Sequence, residues 1–352
     1  MEKWIFENFQ SPGDIVMLTA AVRDLLRCYP HRFVTDVRTS YPELWENNPY
    51  LTPLQASAPD VRVLQCHYPL IHQSNDAACH FLHGFIEYLN EQLGLRIKPT
   101  AFKGDIHLSA REKALPSKVA RLIGCEVPYW IIVAGGKYDF TIKWWHFRRW
   151  QAVVDHFRGK ILFVQVGEQG HYHPPLDGVL DLRGKTTLRE LVHLIYHAQG
   201  VLCPVTLHMH LAAAIETKPG APLSRSCVVI AGGRESPHWE AYPHHQFIHS
   251  VGALRCCAAG GCWRSRTVPL GDGDEKDQPD RLCVDVVRGL PRCMDMITPE
   301  DVIRRFAGYF EGGVAAFLAK KQARQIRPWL REAPKLTASR TSCHSTSSCA
   351  AH

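Results

Sequence analysis

The sequence predicts an α/β protein of two domains, on three observations. The chain has 352 residues, and at about 150 residues per domain that length suits two. Hydrophobic residues make up 45% of it and charged residues 21%, the balance of a chain that buries a core rather than one that stays disordered or forms a coiled coil. Two series of alternating strand and helix patterns follow one another, and such alternation is the signature of layered α/β architecture.

In the first series, Trp4 to Phe9 reads as a strand, Ser11-Pro12-Gly13-Asp14 as a turn and Ile15 to Tyr29 as a helix. Ile15, Leu18, Val22 and Leu25 recur at three- and four-residue spacing and mark the buried face. Arg32 to Val37 reads as the next strand, and Asp76 to Leu93 as a helix with Phe81, Phe85, Tyr88 and Leu89 on one side. The region from Lys113 to Pro128, with Pro116 and Pro128, is the expected linker.

The second series begins with the apolar strand Trp130 to Ala134, which ends in Gly135-Gly136. Phe147, Trp150, Val154 and Phe157 trace a helix face; Ile161 to Val166 is a strand and Leu188 to His197 a helix. Val201-Leu202-Cys203 is a strand, His208 to Ile215 a helix and Cys227 to Ala231 a further buried strand. Elements joined by short loops in this order argue for a second doubly wound parallel sheet.

From Arg255 to Cys293 the periodicity breaks, and Gly260-Gly261 and Gly271-Asp272-Gly273-Asp274 mark turns. Thr298-Pro299-Glu300-Asp301 then opens a helix, with Thr298 as N-cap and Pro299 at its first position. The expected organisation is a first domain over 1–120, a second over 121–254, a cysteine-rich element over 255–297, a helical segment over 298–332 and a disordered tail over 333–352.

Composition narrows the function. The 41 basic and 34 acidic residues leave +7, a mild excess compatible with a phosphate-bearing ligand. A nucleic-acid footprint is not expected, because Arg264, Arg266 and Lys276 are interleaved with Asp272, Asp274, Glu275 and Asp277. There is no run of 18 apolar residues to span a membrane. Charges occupy the place of a secretory apolar region in Met1 to Glu7, so a cytoplasmic protein is expected. Thirteen cysteines, an odd number without an export signal, argue against a disulfide framework.

Four stretches carry candidate chemistry. Asp14 stands where a first strand meets a first helix, near the positive end of the helix dipole; it is either the helix N-cap or a general base facing a cleft. Lys143, in Asp139 to Trp145 beyond the strand at Trp130, either faces a diphosphate approached by Gly135-Gly136 or snorkels over Trp144 and Trp145. Pro204 to Ala214 lies just after a strand and opens a small-residue helix whose first amides, with the Thr206 hydroxyl and His210, suit a phosphate; the alternative is a core helix with incidental histidines. Cys257, Cys262, Cys283 and Cys293 offer four thiolates on an element without a core of its own, a donor set for tetrahedral zinc or iron in a closed, structural role. Cys256 competes with Cys257 as first ligand.

Four stretches stand out together: SPGDIVMLTAAVRDLLRCYP; DFTIKWWHFRRWQ; VTLHMHLAAA with HWEAYPHHQF; and CCAAGGCWRSRTVPLGDGDEKD continuing through LPRCMDMITPEDV. They resemble bacterial heptosyltransferases of glycosyltransferase family 9, closest to the autotransporter heptosyltransferase branch. The likeness runs from about Trp4 to Gly312. It implies an inverting GT-B enzyme, two Rossmann-like domains about a central cleft plus a loop-rich four-cysteine metal element. Asp14 would be the general base, and Lys143 would neutralise donor phosphate. Thr141, Thr206, Leu207, His208 and His210 would complete the nucleotide-sugar site. Where the wider family has Asp-Thr-Gly, this chain has Val205-Thr206-Leu207. The donor implied is ADP-heptose, and the acceptor Ser or Thr of an autotransporter adhesin. The alternatives are a lipopolysaccharide core sugar as acceptor, or a catalytically dead sugar-nucleotide-binding module on the same fold. A structural iron or zinc ion at Cys257, Cys262, Cys283 and Cys293 and a homo-oligomeric assembly are implied with it.

Overall fold

The computed structural model describes residues 1–332, and the tail expected over 333–352 lies outside the described residues. Strand β1 (Glu2–Asn8) leads into helix α1 (Pro12–Cys28). The turn expected over Ser11 to Asp14 is instead the helix's first turn. Pro12 takes the first helical position, where a missing N–H is harmless, and the Asp14 carboxylate accepts a hydrogen bond from Ser11 N at 2.9 Å. Asp14 is therefore the partner of the cap rather than the cap itself.

Strands β2 (Phe33–Thr39) and β3 (Val61–Gln65) flank β1 in a parallel sheet of order β2-β1-β3. Helix α2 (Phe81–Leu93) begins at Phe81 rather than Asp76, because Gln73–Asn75 forms a separate 3-10 turn and His80 Nδ1 caps the helix through Leu82 N at 3.1 Å. The linker region is also more ordered than its prolines suggest. It carries α3 (Ala110–Ala114) and α4 (Lys118–Ile123), capped by Ser109 and Ser117. Lys118 pairs with Glu190 at 3.0 Å.

The second sheet is built by β4 (Tyr129–Ile132), α5 (Phe147–His156), β5 (Leu162–Gln165), β6 (Leu180–Asp181), α6 (Leu188–His197), β7 (Gly200–Pro204), α7 (Leu207–Ala214), β8 (Ser226–Gly232), α8 (Pro237–Glu240) and β9 (His245–His249). Its six strands are all parallel in the order β6-β5-β4-β7-β8-β9. Counted within the domain this is the doubly wound dinucleotide-binding order, whose direction reverses between β4 and β7. Ligands of such sheets sit outside the carboxyl ends of the strands at that reversal.

Both faces of the sheet are buried. Tyr129 and Ile131 point to a core shared with α1, α2, α6 and α7, whereas Trp130 and Ile132 point to a second core under α5. The two-residue period of the strand divides them. Beyond β9, residues 255–297 form short 3-10 turns, the antiparallel pair β10 (Val286–Val287) and β11 (Leu290–Pro291), and α9 (Arg292–Asp295). Buried Arg266 organises this element by pairing with Asp272 at 2.7 Å and Asp277 at 2.6 Å, and Lys276 pairs with Asp274 at 3.1 Å. Asp272, Asp274 and Asp277 are thus spent on Arg266 and Lys276, while Arg264 donates to the backbone carbonyls of Pro279, Asp280 and Leu282. Helix α10 (Pro299–Glu311) starts at Thr298 as its sequence predicts, and Phe306 packs on Trp130 with ring centres 4.1 Å apart. Helix α11 (Lys320–Ile326) follows.

Candidate active site

The carboxyl ends of β1, β4 and β7 meet at a cleft of about 480 Å³. Asp14, Lys143, Thr206, Leu207, His208 and His210 all line it. Thr141 does not. It is buried, its hydroxyl accepts a hydrogen bond from Thr267 N at 2.9 Å, and it joins the cysteine-rich element to the second domain.

Asp14 is half-buried at the start of α1. Burial raises its pKa to about 6, against the Ser11 amide, the Tyr68 hydroxyl and the charges of Lys143 and Lys137, which lower it. A carboxylate so tuned is a stronger base than an exposed one and still ionises near neutrality.

Lys143 ends a 3-10 segment (Tyr138–Lys143). Its ammonium pairs with Glu235 at 2.6 Å, and Arg234 pairs with the same carboxylate. Two cations thus share one anion and leave a net positive charge at the cleft wall. Neither sequence reading of Lys143 anticipates this partner: it does not snorkel to water, and its charge is half-engaged before any phosphate arrives. Trp145 is core, whereas Trp144 lines the cleft and stacks on Tyr172 with ring centres 4.2 Å apart.

Gly135 has φ +105°, and a Cβ there would overlap the Tyr172 carbonyl. The residue is glycine because Gly136 and Tyr172 exchange backbone hydrogen bonds at 2.8 and 3.1 Å. That contact, as well as space for a ligand, accounts for the Gly135-Gly136 pair.

Thr206 precedes α7, so its hydroxyl and the first amides of the helix face the cleft at the positive end of the dipole. The two histidines of this helix are buried and neutral. Burial lowers the pKa of each to about 3. His210 Nδ1 is hydrogen-bonded to the Tyr242 hydroxyl at 2.9 Å, and its Nε2 lies 3.4 Å from Glu240 Oε2. His210 therefore acts as a neutral hydrogen-bonding group and not as a cation for phosphate.

Arg234, Glu235 and Glu240 line the cleft, and the sequence reading missed all three. A signal existed: Gly232-Gly233-Arg234-Glu235 follows β8 as Gly135-Gly136 follows β4. Glu168, beyond β5, lines the cleft as well.

Cys256, Cys257, Cys262, Cys283 and Cys293 line one small cavity of about 10 Å³ behind the Gly233–Glu235 segment. Gly233 fits there because it has no side chain; a Cβ would lie 3.2 Å from Cys257 Sγ and Cys293 Cβ. Burial pushes the Cys293 thiol up to about 12 and raises those of Cys262 and Cys283. Cys257 is buried and Cys256 is partly exposed. The donor set suits a soft tetrahedral ion, although among the described residues no three His, Cys, Asp or Glu side chains converge in metal-coordinating geometry.

No protein-family model and no curated protein matches the chain. Solved structures do. A family 9 glycosyl transferase from Veillonella parvula matches with a TM-score of 0.60 at 12% identity, over 88% of this chain and 97% of that one. The chain has the fold of family 9 glycosyltransferases. The Escherichia coli ADP-heptose lipopolysaccharide heptosyltransferase II matches with a TM-score of 0.55 at 13% identity, over 90% of this chain and 100% of that one. The iron-containing dodecameric glycosyltransferase TibC from enterotoxigenic E. coli matches with a TM-score of 0.58 at 18% identity, over 88% and 77% of the two chains. TibC has also been solved in complex with ADP-D-β-D-heptose. The family 9 fold accounts for the parallel sheets on either side of the cleft. No helix among the described residues is long and apolar enough to cross a membrane.

Proposed function

We propose that this chain is an inverting heptosyltransferase that moves a heptose from ADP-heptose to an acceptor hydroxyl. One observation carries the reading: a half-buried carboxylate with a pKa of about 6 shares a single cleft with Lys143, Arg234 and the N-terminus of α7. A base and a preorganised positive wall are what a single displacement at an anomeric carbon requires.

Asp14 takes the proton of the acceptor hydroxyl as its oxygen attacks the anomeric carbon. The bond from that carbon to the diphosphate breaks, and the charge that develops on the leaving group is met by Lys143 and the first amides of α7. Glu235 holds Lys143 in place at 2.6 Å and takes up part of its charge until the diphosphate does. Glu168, beyond the second strand of the sheet, stands where this strand order positions a carboxylate for ribose hydroxyls. Inversion needs no second, nucleophilic carboxylate.

Cys257, Cys262, Cys283 and Cys293 are proposed to hold one structural iron or zinc ion. A closed four-sulfur set leaves no open position and serves to order a segment with few apolar residues. The acceptor is proposed as Ser or Thr of an autotransporter adhesin, with a lipopolysaccharide core sugar as the competing class, and the enzyme as a cytoplasmic homo-oligomer. TibC, an iron-containing dodecamer of the same fold, supports the metal and the assembly.

The test is the intact mass of an adhesin fragment and of a core oligosaccharide after incubation with the enzyme and ADP-heptose. One of them gains the mass of an anhydroheptose residue; no gain on either, with no ADP released, overturns the reading.

A further inference from the structure

Two carboxyl oxygens at the cleft lack a hydrogen-bond partner: Oε2 of Glu235 and Oε2 of Glu240. Glu235 is 1% exposed and Glu240 6%. Buried acceptors are rarely left unpaired, because each costs its desolvation. Lys143 and Arg234 both bind Oε1 of Glu235, which leaves the second oxygen unserved. His210 Nε2 approaches Glu240 Oε2 at 3.4 Å without hydrogen-bond geometry.

Aromatic rings line the same cleft as these carboxyls. Trp239, the neighbour of Glu240, is stacked on Phe81 with ring centres 5.1 Å apart. Tyr68 packs edge-on against Phe81 at 4.9 Å, and its hydroxyl lies against the Asp14 carboxylate. An anionic group is a poor occupant beside Asp14, whereas Glu235 is already compensated by Lys143 and Arg234. A polyol is a good one, because its hydroxyls donate to carboxyl oxygens and its C–H faces lie on aromatic rings. The cleft thus has an amide and cation end for a diphosphate and a carboxyl and aromatic end for a neutral sugar.

We propose that Glu240 is a specificity-determining residue for the transferred sugar, whose ring hydroxyls hydrogen-bond its carboxyl. Burial and the charge of Glu235 push Glu240 up to about 8, so near neutral pH its carboxyl is largely protonated and both donates and accepts. The assignment rests on the donor proposed above, so the experiment separates the two.

Calorimetric titrations with ADP and with ADP-heptose are compared for the wild-type chain, Glu240→Gln, Glu240→Asp and Glu240→Leu. Glu240→Leu keeps the affinity for ADP and loses roughly tenfold or more for ADP-heptose, the loss expected when a buried hydrogen-bonding pair is broken. Glu240→Asp, which withdraws the carboxyl by one methylene, loses sugar affinity in the same direction. Glu240→Gln, neutral and of equal reach, stays within about threefold of wild type. Equal ADP-heptose affinity in wild type, Glu240→Asp and Glu240→Leu overturns the role of Glu240. Wild-type binding of ADP that the heptose does not strengthen overturns the sugar end of the cleft. Failure of the wild-type chain to bind either ligand overturns the donor reading itself.

Discussion

At the scale of single residues, Asp14 and Lys143 answer to different tests because the proposed mechanism sets them against different substrates. Asp14→Ala removes the proposed acceptor base and should lower turnover by about 100- to 10,000-fold, with ADP affinity nearly unchanged; rapid-quench assays beside nucleotide titrations check this. Retained turnover would reduce Asp14 to its observed hydrogen bond with Ser11 N. Lys143→Ala should weaken both donor binding and turnover, the latter by about 100- to 1,000-fold, since the charge matters most as the diphosphate leaves. Lys143→Arg should restore only part, because a planar fork does not reproduce a point charge paired at 2.6 Å with Glu235. Steady-state kinetics with separate kcat and KM show whether the two effects divide in this way.

At the scale of elements, legibility tracked local signal. The strands Tyr129–Ile132 and Ser226–Gly232 are wholly buried and announce themselves as apolar runs. Strand Val61–Gln65 lies at a sheet edge with a mostly exposed face, and His245–His249 carries two histidines and a glutamine, so neither showed a pattern to read. Within the site, Asp14 and Thr206 were found because each follows a legible strand. Glu240 ends a helix of four residues, too short for any period, and its importance comes only from the fold that sets it beside His210. The cysteine-rich element was legible as a cluster but not by its position. It lies directly behind the cleft wall, with Cys262 N bonded to Gly233 O at 3.1 Å and Trp263 N to Arg234 O at 3.0 Å. Cys262→Ser should therefore lower iron or zinc below one ion per chain and also slow turnover, by up to about 100-fold, because the displaced segment carries Arg234 and Glu235. Elemental analysis paired with kinetics on one preparation tests the link. Loss of metal with unchanged turnover would separate the element from the cleft.

At the scale of the whole molecule, two families of buried groups pull the pH dependence of stability in opposite directions. Burial lowers the pKa of His80, His208 and His210 to about 3 and that of His197 to about 4, from an unperturbed 6.5. Between those values and 6.5 the unfolded chain binds protons that the folded chain refuses, so these groups make stability rise with pH across that window and fall away as the solution is acidified. Asp14 and Glu240 act the other way. Their folded pKa values, about 6 and about 8, lie above the unfolded 3.8 and 4.5, so the folded chain holds protons that the unfolded chain releases, and stability falls with pH across their windows. From about pH 4.5 to 6 all six titrate at once, and four histidines outweigh two carboxyls. Melting temperature should therefore fall as pH drops through that range, and His197→Gln, a change away from the cleft, should flatten the slope by removing one of the four. Turnover should fall in nearly the same range for a separate reason, protonation of the base at an apparent pKa near 6. The two losses part on reversal and on substitution: the catalytic limb returns at once when pH is restored and stays in place in His197→Gln, whereas the melting profile shifts in that variant. An acid limb of turnover that moved with the melting profile would mean that the chain stops working because it unfolds, and would remove the kinetic support for Asp14 as base.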